Sequence, residues 1–487
     1  MAEKISRRDF LKKSAVGLAG LTIVPSAVLG KSVGQTSPSD KLNIAAVGIG
    51  GVCKSNLNAV KSENIVALCD VDWEYAKGSF ETYPNAKRFW DWREMYEKIG
   101  KEIDAVIVAT PDHSHAVAAA HAMMLGKGVY VQKPLTHTVY ESRLLTKLAD
   151  KYKVASQMGN QGASGEGVRQ ICDWMWNGEI GEVTHVEAFT DRPSWPQGLD
   201  TPREAMEIPE TLRWDLFIGP AKNRPYNRAY HPWDWRGWWD YGTGALGDMA
   251  CHILHPVFKA LQLQYPTLVE GSSTPLKPDS APLAEHVRLV YPARGRKGNM
   301  ALPEVTIDWY DGGLKPNRPK GMPDGVNMNV EGGCVIFHGT KDTLICGCYG
   351  RRPYLLSGRT PQVPSQNRVI TISHEMDWVR ACKESAANRV LTASDFSEAG
   401  PFNEMVVMGV LAVRLQALNK VLQWDGLNMK FTNINENDRI STAREVITVV
   451  DGHPTVTRSR ESIPATEFAA ELIRHNYQNG FSLPPMP

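Results

Sequence analysis

The stretch Leu42-Asn43-Ile44-Ala45-Ala46-Val47 runs directly into Gly48-Ile49-Gly50-Gly51, and this junction constrains the chain more than any other. A short apolar strand entering a glycine turn and then a helix is the geometry that cradles a pyrophosphate. Gly48 permits the tight turn, Gly50 lets the backbone approach the phosphates, and Gly51 adds freedom beside them. Cys53 stands where the third glycine of that fingerprint is usual. A second apolar run, Ile65 to Cys69, ends in Asp70, twenty residues beyond Gly50, where an acid holds the adenosine ribose hydroxyls. A carboxylate there would repel an extra phosphate, which favours NAD over NADP.

The alternation continues. Helices are expected over 91–99, 115–125 and 140–151, with strands over 104–109, 128–132 and 154–158. Strands interleaved with helices of that length mean a parallel sheet covered on both faces. Ligands lie beyond the carboxyl ends of such strands. Thr110, Pro111, Asp112, His113, His115, Lys133 and Gln161 are therefore candidate lining residues, with Pro134 fixing the turn after Lys133. From about 160 the pattern changes. A helix is expected over 166–176, strands over 181–190, 285–291, 304–310 and 333–338, and helices over 374–382 and 401–418. The fold class is α/β: a Rossmann domain over 41–160, then an α/β domain over 161–427 with an open, mainly antiparallel sheet. Residues 428–467 read as an insertion, and 428–487 as an extension closed by a helix near 468–481.

Residues 1–30 read as an address and 31–40 as a linker. Ser6-Arg7-Arg8-Asp9-Phe10-Leu11-Lys12-Lys13 resembles a twin-arginine export signal, and Ala15–Leu29 is too short and too rich in small residues to span a membrane well. Export by that route places the protein in the periplasm or beyond. With 54 Lys plus Arg against 53 Asp plus Glu, no basic footprint points to nucleic acid. The eight cysteines contain no CxxC pair, and the spacing of Cys346 and Cys348 fits neither a metal site nor a disulfide strongly.

Tryptophan is the compositional oddity. Six of the 14 lie between positions 195 and 239. Indoles so concentrated in an aperiodic stretch argue for a packed functional segment rather than disorder. Trp233, Trp235, Trp238 and Trp239 offer flat faces to a sugar ring, with Asp234 and Arg236 for its hydroxyls, although at least two of the four indoles are expected in the core. Immediately afterwards comes Gly244-Ala-Leu-Gly-Asp248-Met-Ala-Cys-His252-Ile-Leu-His255. On a helix Asp248 and His252 share one face and hold a hydroxyl between them, with His255 adjoining. A metal held by Asp248, His252 and His255 is the rival reading, but no H-E-x-x-H pattern supports it. The expectation is no metal.

Val131-Gln132-Lys133-Pro134 and Gly244–His252, in this order after the glycine turn, resemble the Gfo/Idh/MocA oxidoreductases. The family's Glu-Lys-Pro motif has Gln132 in place of glutamate here. The resemblance implies that Lys133 polarises a substrate hydroxyl beside the nicotinamide, that His252 takes its proton and that Asp248 orients the group. It also implies a homodimer or homotetramer formed through the open sheet, and a tightly held NAD. The activity it implies is NAD-dependent oxidation of a hydroxyl on a sugar, glycoside or polyol. An alternative is an NAD-dependent glycosidase working by transient oxidation, elimination and re-reduction. A third reading is a non-catalytic sugar-binding protein on the same scaffold.

Overall fold

The computed structural model describes residues 40–487 apart from 203 and 452. The twin-arginine segment 1–30, and the linker up to residue 39, lie outside the described residues. Among the described residues no helix is long and apolar enough to cross a membrane.

The first sheet is built from β1 (Asn43–Val47), β2 (Asn64–Cys69), β3 (Lys87–Phe89), β4 (Ala105–Val108), β5 (Gly128–Val131) and β6 (Ser156–Met158), in the order β3-β2-β1-β4-β5-β6. All pairings are parallel. Ile44, Ala45, Ala46 and Val47 are fully buried because helices cover both faces, so β1 reads as a continuous apolar run instead of an alternating one. The expected 91–99 helix begins at Trp92, since the Asp91 side chain accepts from Arg93 N and caps it. α1 (Cys53–Ala59) follows the glycine turn, α2 (His115–Met124) follows β4, and α3 (Val139–Tyr152) follows β5. Thr138 and Glu141 form a reciprocal capping box at the start of α3. Cys53 is wholly buried with Ile49, Leu57, Ala76 and Phe80. Its small side chain fits the close helix-to-sheet contact that the third glycine ordinarily permits.

The strand order reverses between β1 and β4, and a crevice opens at their carboxyl ends. Gly48 adopts φ +78° there, and a Cβ on it would sit 2.6 Å from the Thr110 nitrogen. Gly48→Ala combines left-handed strain with a backbone clash, so it is expected to lose about 2–5 kcal/mol of stability and to bind NAD poorly. Thermal melting and an NAD titration test this. Unchanged values for both would show that the turn is not held this way.

The second sheet has nine strands. Its members are β7 (Val183–Thr190), β8 (Leu268–Ser273), β9 (Glu285–Tyr291), β10 (Val305–Tyr310), β11 (Gly333–Gly339), β12 (Thr343–Gly347), β13 (Tyr354–Leu355), β14 (Leu422–Asp425) and β15 (Lys430–Phe431). The order is β13-β12-β11-β7-β10-β9-β8-β14-β15, and only β7–β10 pairs in parallel. One face is lined by helices, including α4 (Gly244–Ile253) and α5 (Phe396–Arg414). α5 starts five residues before the expected position and carries Pro401 inside, with Asp395 capping its first turn through Ser397 N. The aperiodic 191–241 stretch forms its own aromatic cluster. Trp214, Phe217, Tyr226, Tyr230, Trp238 and Tyr241 pack together, with Trp214 stacked on Phe217 at 4.9 Å.

The expected insertion contains a long antiparallel hairpin, Arg439–Val450 with His453–Pro464. The closing helix is Ala465–Ile473, shorter and earlier than expected. The chain beyond it lies instead against the Rossmann helices, where the Tyr477 hydroxyl donates to Glu141 and His475 Nε2 lies 3.0 Å from His137 Nδ1. All eight cysteines are free thiols.

Candidate active site

One cleft runs from the glycine turn to the start of α4. Gly48, Gly50, Gly51, Asp70, Thr110, Pro111 and Lys133 line it, as do Trp195, Trp233, Trp235, Arg236 and Asp248. Residues expected from separate motifs, as much as 200 positions apart, thus share a single concavity. Asp70 lines it just after β2, and its Oδ2 accepts from the nitrogens of Ile49 (2.6 Å) and Gly50 (3.0 Å) while Oδ1 accepts from Asp72 N. The carboxylate therefore fastens the glycine turn to the end of β2. Burial pushes its pKa up, and the three backbone bonds oppose that rise.

The fit of a dinucleotide rests on this end of the cleft. Gly51 lines the cleft, and a Cβ on it would meet only the Tyr75 hydroxyl, at 3.5 Å, so backbone here borders the space a phosphate would take. Asp70 keeps one acceptor site, on Oδ1, for a ribose hydroxyl, since each carboxylate oxygen takes up to two hydrogen bonds and three of the four are used. The residues present fit NAD. Tyr75 lies over Gly50, and His231 Nε2 bonds Asp72 Oδ2 at 2.8 Å; both side chains line the cleft, and neither was legible as a site residue in sequence.

At the other end Lys133 Nζ donates to Asp248 Oδ1, and Arg236 Nη1 stands 3.0 Å from the same oxygen. Burial alone would raise the Asp248 carboxyl. Arg236 and Lys133 outweigh it and hold the group well below the usual carboxylate range. Arg236 lies over the Trp235 ring at 4.4 Å, so one face of that indole is already occupied. Asp112 takes Thr243 Oγ1 at 2.7 Å, faces Arg236 at 3.8 Å and is pushed up to about 6 by burial.

His252 follows Asp248 by one helical turn, as its spacing predicts, but no hydrogen bond joins them; Lys133 and Arg236 hold Asp248 instead. The His252 ring packs on Tyr349, with centroids 4.6 Å apart. Burial, followed by the Lys133 charge, pushes its pKa down to about 3, so the ring is neutral. Tyr349 sits at φ +63°, an uncommon conformation for a tyrosine. It presses on Gly162, where a Cβ would come within 2.9 Å, and this brings the exposed Gln161 turn to the same corner. Tyr349 had no sequence signal, because it lies 97 residues from His252 in a turn without periodicity.

Two buried polar atoms here have no hydrogen-bond partner, Asp112 Oδ1 and His252 Nδ1, and Arg236 Nη1 beside them faces only the carboxylates of Asp248 and Asp112. Buried polar groups without partners are rare in folded proteins, and their gathering around Asp248 marks a place built to meet a polar ligand.

Several expected site residues lie elsewhere. His115 is buried behind the cleft, with Nδ1 2.8 Å from Pro134 O and Nε2 2.8 Å from Thr110 O. It ties the two cleft loops together and does not line the cofactor groove. Trp238 and Trp239 are 2% and 5% exposed and belong to the core, matching the expectation that two of the four indoles would be buried. Their assignment to substrate is corrected, because their faces are used in packing. Asp234 is half-buried and does not line the cleft. His255 is paired with Glu398 at 2.9 Å, so it joins neither a metal site with Asp248 and His252 nor a sugar pocket.

Residues 42–160 match the model of the oxidoreductase family's NAD-binding Rossmann fold, and residues 175–293 match its C-terminal alpha/beta domain, both under the name GFO_IDH_MocA. The chain belongs to the Gfo/Idh/MocA oxidoreductase family. Among curated relatives, a glycosyl hydrolase family 109 protein of Shewanella sp. (strain MR-4) is 27% identical over 212 residues, covering 38% of this chain and 45% of that protein. An inositol 2-dehydrogenase of Salmonella paratyphi B is 27% identical over 183 residues, covering 36% and 53%. The matches thus span about half the length of these relatives. The WlbA dehydrogenase of Bordetella pertussis, solved with NADH and UDP-GlcNAcA, shares the fold at a TM-score of 0.52 and 16% identity, covering 77% of this chain and 97% of that one.

The departure from the Gfo/Idh/MocA motif at Gln132 has a local explanation. Gln132 Nε2 donates to Asn56 Oδ1 at 2.9 Å, and Asn56 Nδ2 donates to Glu375 Oε1 at 3.0 Å. The amide joins β5 to α1, and a carboxylate one step removed, on Glu375, ends the chain of bonds.

Proposed function

We propose that this protein is an NAD-dependent oxidoreductase acting on a hydroxyl of a sugar, glycoside or polyol. The observation that carries the reading is the convergence of Lys133, Asp248 and Arg236 in the cleft that begins at the glycine turn. NAD bound there would supply the acceptor for a hydride from the carbinol carbon. Lys133, anchored by Asp248, stabilises negative charge developing on the substrate oxygen. Neutral His252 is in the form that accepts the hydroxyl proton, and Asp248 stays ionised to hold Lys133 in place. Trp233 and Trp195 offer aromatic faces to a sugar ring, and Asp112 has an unpartnered carboxylate oxygen for one of its hydroxyls. The division of labour is a cofactor domain over 41–160 and a substrate and assembly domain over 161–427, joined as a homodimer or homotetramer. The twin-arginine segment directs export, and retention of NAD through export fits a tightly held cofactor.

A second reading is favoured by the glycosyl hydrolase name of several relatives. A glycoside hydroxyl is oxidised to a ketone, the acidified neighbouring C–H loses its proton, and the aglycone leaves. Water then adds and the ketone is reduced again, so the net reaction is hydrolysis with no cofactor consumed.

The experiment is product analysis of the purified protein with alkyl and aryl glycosides, N-acetylhexosaminides and polyols, together with assay of NAD released on denaturation. Accumulating ketone with reduced cofactor supports the dehydrogenase. Free sugar carrying solvent deuterium at C2 supports the glycosidase. Bound NAD without either product leaves a non-catalytic sugar-binding protein. Export is tested separately: Arg7→Lys with Arg8→Lys is expected to leave the protein in the cytoplasm.

A further inference from the structure

The face of the nine-stranded sheet turned away from the helices carries a side-chain cluster that the cleft does not use. On β7, Val186 and Ala188 are buried in the core, so the alternate residues His185 and Glu187 project to the other side. His338 of β11 lies opposite His185 in register, and the two imidazoles stack with centroids 5.2 Å apart and planes 13° apart. His338 Nε2 is 2.8 Å from Glu187 Oε2. One ligand-capable atom from each of His185, Glu187 and His338 lies within 4.8 Å of the other two.

A second layer is already in place. His185 Nε2 is 2.9 Å from Asp308 Oδ2 on the adjoining β10, and Asp308 also receives His286 Nε2 at 2.8 Å and Arg288 Nε at 2.9 Å. Metal-bound histidines commonly give their other ring nitrogen to a carboxylate, which fixes tautomer and orientation. Asp308 does this for His185 and leaves the Nδ1 lone pair for a ligand. With Arg288 and His286 also on it, Asp308 is held firmly enough to act as that support.

We propose that His185, Glu187 and His338 bind a divalent transition-metal ion of the zinc class on this sheet face. Two imidazole nitrogens and one carboxylate oxygen form a borderline donor set that suits zinc far better than magnesium or calcium, and leave a fourth position open. That position faces outward from the sheet, available to solvent or to a ligand from a second copy of the chain. The inference does not rest on the activity proposed above.

The test uses the full-length, tag-free protein, stripped with a chelator and titrated with Zn2+ and, separately, Co2+. The expected result is one equivalent per chain, visible Co2+ absorption of low coordination number, and a Tm raised by Zn2+. His338→Ala should abolish stoichiometric binding. Asp308→Asn should weaken it by roughly 10–100-fold. Glu187→Gln keeps the side-chain shape, so it reads the carboxylate's contribution even if the histidine variant folds poorly. Sub-stoichiometric binding by the parent protein, or equal affinity in the parent, His338→Ala and Glu187→Gln, would overturn the proposal.

Discussion

Lys133→Ala is expected to lower turnover by about a thousandfold while NAD still binds, with the substrate that the product survey identifies. A thousandfold loss corresponds to about 4 kcal/mol of transition-state stabilisation, at the upper end of what one preorganised donor to a developing oxyanion supplies. The fold should survive. Removing the ammonium leaves the buried Asp248 carboxylate still paired with Arg236 at 3.0 Å, so no uncompensated charge is stranded. The loss therefore appears in kcat and not in Tm. Asp248→Asn tests the same unit from the other side. It keeps the shape but removes the charge that fixes Lys133, and its loss of kcat should be smaller, since the ammonium remains. A Lys133→Ala enzyme within threefold of the parent kcat, with NAD affinity unchanged, would remove Lys133 from the mechanism.

What sequence could show divides along a physical line. Local patterns carried far. The glycine turn, Asp70, the Lys133-Pro134 turn and the helical spacing of Asp248 and His252 each depend on residues within about thirty positions, and the parallel sheet places their ends together. Side chains that act across the fold were not legible in the same way. Arg236 and Trp235 looked like sugar contacts, yet the guanidinium spends its charge on Asp248 and lies on that indole. His255 looked like a partner of His252, but α4 ends at Ile253 and His255 opens the next helix, where it pairs with Glu398. Tyr349 reaches His252 only because β11 and β12 return the chain to α4. The cluster of His185, Glu187 and His338 was equally hidden, because it forms only where β7 pairs with a strand about 150 residues later. Tryptophan position was informative and tryptophan role was not, because an indole serves a core and a sugar site by the same apolar surface.

His252→Ala is expected to lower turnover by about 10²–10⁴-fold, the range for loss of a positioned general base. The stronger test is its pH dependence. A histidine in water is half-protonated near 6.5. Burial and the Lys133 charge push His252 down to about 3, so its neutral form prevails throughout the ordinary range. Because kcat/KM reports the free enzyme, the parent should show no acid limb from His252 between pH 5 and 7. A step near pH 6 belongs to Asp112, which burial pushes up to about 6, and it should disappear in Asp112→Asn. Removing Lys133 takes away a cation that opposes the imidazolium. In Lys133→Ala the residual activity should then acquire an acid limb shifted upward toward the unperturbed histidine value. The direction is fixed by sign: a lost positive neighbour makes protonation of His252 easier, so the neutral base is depleted at a higher pH. A step at pH 6 to 7 that survives Asp112→Asn and vanishes in His252→Ala would contradict a neutral His252, and an unmoved limb in Lys133→Ala would break its coupling to the lysine.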